Sequence, residues 1–166
     1  MPITLEPGTL EVITTTPTAV RALTDALPDA MVDARSGDGW SAREIVAHLL
    51  DRWNTQMERT RRILNESDPL ILDEDETASL EVSGYRERPM MWLLDEFSRA
   101  RGGFEQTIWS IRDEDLARTA RHSVAGPFTL ADMLNHVAYH DLLHVQQIAG
   151  TLALVPNAGR GASGMF

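Results

Sequence analysis

Cysteine is absent from this chain of 166 residues. That removes a disulfide frame, a thiolate nucleophile and any zinc–thiolate site, so a bound metal would rest on histidine and carboxylate alone. Positive charge is scarce: 15 Lys and Arg stand against 25 Asp and Glu, a net charge of -10. No basic stripe exists to neutralise phosphates, which argues against a nucleic-acid partner. The acidity reads as solubility. No apolar run approaches the roughly 20 residues of a membrane span, so no membrane partner is expected. The opening stretch MPITLEPGTLEV has neither a basic region nor an apolar core. No signal peptide is expected there, and a cytoplasmic location follows as the default. There is no internal repeat, no Walker loop, no GxGxxG and no GxSxG.

What remains is an ordinary globular composition, 43% apolar and 24% charged, at a length that suits one domain with its own core. We place that domain at residues 1–155. Residues 156–166, rich in Gly, Ala and Ser, read as a flexible tail.

The apolar spacing predicts four amphipathic helices, hence an all-α four-helix bundle. The first begins near Thr16–Pro17, with proline in the first turn, and shows Ala19, Val20, Leu23, Ala26 and Leu27 on one side. The second opens on a strong signal. Ser41 is a cap, Glu44 its reciprocal partner, and Trp40 can staple onto Ile45. It runs to about Asn65 with Val46, Leu49, Leu50, Trp53, Met57 and Leu64 as its stripe. Residues 66–88 form a long connection whose acidic run, Asp73–Glu76, lacks the spacing and glycine of a calcium loop and reads as solvated. The third helix spans about Pro89–Ile111. Gly102 and Gly103 weaken it, with close packing or a kink as candidate reasons. A second irregular connection, Arg112–Phe128, carries His122, read as a loop residue.

The fourth helix, Thr129 to about Gly150, is the centre of interest. Thr129 caps it, and Asp132 can reach back to the cap. It carries His136, His140 and His144, each four residues apart. Leu130, Leu134, Val137, Asp141, His144 and Ile148 share one face, with His140 on its flank and His136 further round. Two histidines at i and i+4 can present nitrogens to one divalent metal, or they can be satisfied core and surface residues. Asp141, on the inward face, is a candidate to orient a ligating imidazole from behind; otherwise it forms a salt bridge at the core edge. A third ligand must come from elsewhere. His48, in the second helix, sits by wheel position on the flank near Ile45 and Arg52, an edge histidine on its own evidence.

Two segments carry a family resemblance. WSAREIVAHL, Trp40–Leu49, and HVAYHDLLH, His136–His144, resemble the two signature regions of the DinB-like (DinB/YfiT) superfamily, and the likeness in length, helix order and motif placement covers most of the chain. It implies a four-helix bundle with long connections between helices two and three and between three and four. It also implies a divalent metal held by three histidines, which by position are His48, His140 and His144. His136 matches no required ligand. Zinc and nickel both suit imidazole. The implied function is a metal-dependent enzyme acting on a small-molecule substrate. The leading expectation is a thiol-dependent transferase or isomerase using a low-molecular-weight thiol cosubstrate of the bacillithiol or mycothiol kind. The alternatives are a metal-dependent hydrolase and a non-catalytic metal or small-molecule binder of a stress response. The resemblance also implies a homodimer through helix faces; Trp92 and Trp109 are candidates for that interface or, for at least one of them, for the core.

Overall fold

Two capping boxes start the helices that carry the histidines. In a computed structural model, which describes residues 4–35, 39–108 and 110–154, the Ser41 side chain accepts from the Glu44 amide while Glu44 accepts from the Ser41 amide. The helix that follows, Ala42–Asn65, is long and amphipathic: Ile45, Val46, Leu49 and Trp53 are buried. At Thr129 the same device recurs with aspartate. Asp132 accepts from the Thr129 amide at 2.9 Å, and Thr129 Oγ1 accepts from the Asp132 amide at 3.1 Å. The fourth bundle helix then spans Leu130–Leu154. It continues through Gly150, where a stop was expected, because Thr151 and Leu152 are buried and packing carries the helix on.

The elements in order are α1 (Thr9–Thr24), α2 (Asp29–Val32), α3 (Ala42–Asn65), β1 (Leu70–Ile71), α4 (Glu76–Ser83), α5 (Met90–Ile108), β2 (Thr119–His122), β3 (Gly126–Thr129) and α6 (Leu130–Leu154). The long helices α1, α3, α5 and α6 form the bundle. α1 packs on α5 and α6, and so does α3, so α1 and α3 face each other across the diagonal. The connections expected to be irregular carry structure of their own. β1 pairs parallel with β2, and β2 pairs antiparallel with β3, with Thr119 opposite Thr129 and His122 opposite Gly126. Gly126, at φ 85°, closes the short turn in a conformation that favours glycine. α4 lies against α3, burying Leu80 and joining Ser79 Oγ to Asp51 at 2.8 Å.

The first helix departs from expectation. It begins at Thr9, and Pro17 lies inside it. Proline has no N–H, so the carbonyl four residues earlier, Ile13, loses its helical donor. Arg101 supplies one: its Nη1 donates to the Ile13 oxygen at 3.2 Å. The other end of that guanidinium pairs with Asp141 at 2.7 Å, both side chains being buried. Its carbon sits 3.8 Å from the centre of the Trp53 ring and 4.9 Å from that of Phe97. One cation on α5 thus touches α1, α3 and α6. Asp141 is therefore the partner of Arg101 and not the orienter of an imidazole. Burial pushes its carboxyl above the usual range, and the Arg101 charge opposes that shift.

Gly102 and Gly103 are not sites of close packing, since a Cβ at either would meet nothing within 4 Å; nothing in the structure explains them. Trp92 is half-buried, with its ring 5.9 Å from Tyr85 and the Arg88 guanidinium 5.0 Å above it. Trp109 and the tail 156–166 lie outside the described residues.

Removing one member of a buried ion pair leaves the other uncompensated, at a cost of about 3–5 kcal/mol. Asp141→Ala is expected to lower unfolding stability by about that amount. Urea denaturation should show the midpoint falling at unchanged slope.

Candidate metal centre

His48 lies in the second turn of α3, behind the Ser41 capping box. Contrary to its wheel position, it is 1% exposed. The wheel misjudged it because a second wall stands there. Trp40 packs edge-on to its ring at 4.9 Å, and the α6 histidines cover the other side, with ring centres 5.2 Å (His140) and 4.6 Å (His144) away. His140 and His144 project from successive turns of α6. The three side chains expected from the resemblance do converge.

The nitrogens are what matter. His140 Nε2 lies 3.2 Å from His48 Nε2 and 3.1 Å from His144 Nε2. His144 Nδ1 faces the Gln147 amide oxygen at 2.8 Å. An amide oxygen only accepts, so His144 carries its proton on Nδ1 and turns the Nε2 lone pair inward. His140 Nε2 then meets two neighbours at contact distance. A single proton on it can point at one of them, which leaves a lone pair facing a nitrogen elsewhere in the cluster. One cation placed among the three satisfies all of them. Nitrogens about 2.05 Å from a tetrahedral zinc ion would stand about 3.3 Å apart, close to the spacing seen.

The electrostatics agree. Burial, with the neighbouring imidazoles and Arg52 adding to it, pushes His48 and His140 down to about 3. Burial also lowers His144, against the pull of Gln147, Glu76 and Asp141. At neutral pH all three are uncharged bases, the form that binds a metal. The described residues contain this single group of three or more such side chains with ligand atoms within 4.8 Å of one another. The set fits a divalent ion.

Next to the triad the chain provides a cleft of about 400 Å³. α3 contributes Arg52, Gln56 and Arg59, which continue the face begun by His48 at spacings of four, four and three. α6 contributes Asp132, Met133 and His136. Numbers rise along α3 where they fall along α6, so the two helices run antiparallel and their polar stripes form the two sides of one groove. His122 and Phe128 of the hairpin, with Asp73, Glu74 and Glu76, close it. The cleft lies beside the triad, not around it. A separate crevice of about 10 Å³ shares Arg52, Gln56 and His136 with the cleft and has His140 of the triad in its wall.

The comparisons with known proteins fall in line with this geometry. The sequence profile of the DinB superfamily matches residues 13–148. The chain belongs to the DinB superfamily. Among solved structures, it is similar to YfiT from Bacillus subtilis, with a TM-score of 0.80 and 22% sequence identity over 87% of this chain and 83% of that one. YfiT is described as a probable metal-dependent hydrolase with an unusual four-helix bundle topology. The likeness is one of fold. No curated protein matches the chain significantly.

Three residues escaped the sequence reading. Gln147 sits three residues after His144, a spacing that could have flagged it. His122 is not an idle loop residue: its Nδ1 accepts from the amides of Val124 and Ala125, and its ring lines the cleft. Glu76, read as part of a solvated run, has a carboxylate oxygen 3.7 Å from His48 Nε2. No helix among the described residues is long and apolar enough to cross a membrane.

The lowered histidines set a pH dependence for the metal-free protein. Their folded values lie below the ordinary 6.5, so below that pH the unfolded chain binds more protons and stability falls as the solution is acidified. The slope is at most roughly 1.4 kcal/mol per pH unit for each group between the unfolded and folded values. Urea midpoints at pH 7, 6 and 5 should fall, and should fall less steeply for His140→Ala. Parallel curves would contradict the depressed values.

Proposed function

We propose that the protein is a divalent-metal-dependent enzyme acting on a small molecule held in the cleft, with thiol-dependent transfer or isomerisation as its reaction class. The observation that carries this reading is the convergence of three neutral imidazole nitrogens beside a cleft of drug-like volume, about 400 Å³. His48, His140 and His144 would hold a zinc or nickel ion. Such an ion is a Lewis acid that acidifies a coordinated thiol or water.

The chain's own groups supply the rest. Gln147 keeps the His144 lone pair turned inward. Gln56 presents a buried amide oxygen that has no hydrogen-bond partner among the described residues, an acceptor free for a donor on the bound molecule. Phe128 and Met133 give the cleft apolar surface, and Arg59, with its side chain 17% exposed, gives it a fixed positive charge. The absence of cysteine supports a thiol brought by a cosubstrate, because the chain itself has none to offer.

Hydrolysis is the second reading. The similarity to YfiT, described as a probable metal-dependent hydrolase, favours it.

Metal-loaded protein is to be incubated with a panel of electrophiles, with and without low-molecular-weight thiols, and the products read by mass spectrometry. We expect thiol adducts that require metal and fall at least about a hundredfold in His140→Ala, the scale of losing a metal-assisted step. Products that form equally without thiol would make the protein a hydrolase. A metal-loaded protein that turns nothing over would make it a binder.

A further inference from the structure

Glu76 stands beside one member of the triad, His48. One carboxylate oxygen is 3.7 Å from His48 Nε2, and the other is 3.9 Å from Nη1 of Arg52. Its side chain is 52% exposed and therefore reachable from solvent.

The position follows from how α4 is built. Asp75 caps the helix, accepting from the amides of Thr77 and Ala78 at 3.0 Å. Its carboxylate is thereby committed, and that of Glu76 is left to project. Glu76, Ser79 and Leu80 lie at i, i+3 and i+4, on one face of α4. That face docks on α3. Leu80 is buried, Ser79 donates to Asp51 at 2.8 Å, and Arg52 reaches Ser79 at 3.3 Å. Arg52 also holds Glu74 at 2.9 Å. The docked helix therefore leaves the Glu76 carboxylate between the first imidazole of the triad and an arginine one turn along the same helix.

We propose that Glu76 is a fourth, displaceable ligand: its carboxylate closes the open side of an ion held by His48, His140 and His144, and gives way to an incoming thiol or other anion. This rests on the metal-binding reading above. Three imidazoles alone leave at least one position vacant. A carboxylate hinged at the first residue of a short helix, with half its surface in solvent, can fill that position without becoming locked there. Arg52 provides the alternative seat for the carboxylate once it is displaced. A resting site closed by Glu76 would be guarded against adventitious anions, and a cosubstrate would gain entry by exchanging one negative ligand for another.

The test uses cobalt(II), whose visible absorption reports coordination, on the full chain with Glu76→Gln and Glu74→Gln. The second variant removes the same charge two residues away, from a group paired with Arg52 and Arg59. In Glu76→Gln the cobalt spectrum should change, cobalt affinity should drop about ten- to a hundredfold, and added azide should bind the cobalt form more tightly than in wild type. Glu74→Gln should match wild type in all three. If Glu76→Gln also matches wild type in spectrum and affinity, or if Glu74→Gln moves them as far, Glu76 is not a ligand. Both results leave the triad standing. Wild-type protein that takes up no cobalt overturns the triad and this proposal together.

Discussion

The guanidinium of Arg101 holds the bundle at its centre. A buried cation is costly unless it is paired and its remaining donors are used. Here the pairing is shared among helices. Asp141 on α6 supplies the charge, Ile13 on α1 supplies a carbonyl that Pro17 has released, and Trp53 on α3 supplies an aromatic face. Arg101 touches all three of these groups with one side chain. The register of α6 is fixed at Asp141, and the clustered histidines flank that residue at 140 and 144. What appears as two separate features, a charged core and a histidine cluster, is one constraint on the rotation of α6.

This also explains what could and could not be read from the chain. The capping boxes at Ser41–Glu44 and Thr129–Asp132 are local, each spanning four residues, and both are present in the fold. The HxxxH spacing on α6 is local too. His48 was not legible from α3 alone, because its burial comes from Trp40 and from the α6 rings; only the resemblance of its surrounding motif pointed to it. The role of Asp141 depends on Arg101, forty residues earlier and on another helix, and no periodicity encodes that pairing. Pro17 was read as a helix start because proline suits a first turn; it is tolerated mid-helix because its orphaned acceptor has found a donor. The small sheet escaped because its strands are two to four residues long, too short for an alternating pattern to declare itself.

The site and its cleft divide their tasks between two kinds of scaffold. The imidazoles stand on long helices whose rotation is locked by the core. Glu74, Glu76, His122 and Phe128, which close the cleft, stand on short elements in the two connections. Fixed donors suit metal binding, which demands spacing to within a few tenths of an ångström. Shorter, more exposed segments suit the walls that must admit and release a molecule.

The diagonal arrangement of α1 and α3 has a consequence for how the chain reaches this state. In a simple up-and-down bundle each helix docks on the one before it, and local hairpins can form early. Here α1 seats between α5 and α6, so its native contacts wait for segments about a hundred residues downstream. Such distant pairings raise the mean sequence separation of contacts and slow folding relative to a bundle of nearest neighbours. The amphipathic first helix must then spend part of the folding time with its apolar side unpartnered, which makes that interval the one in which aggregation competes with assembly.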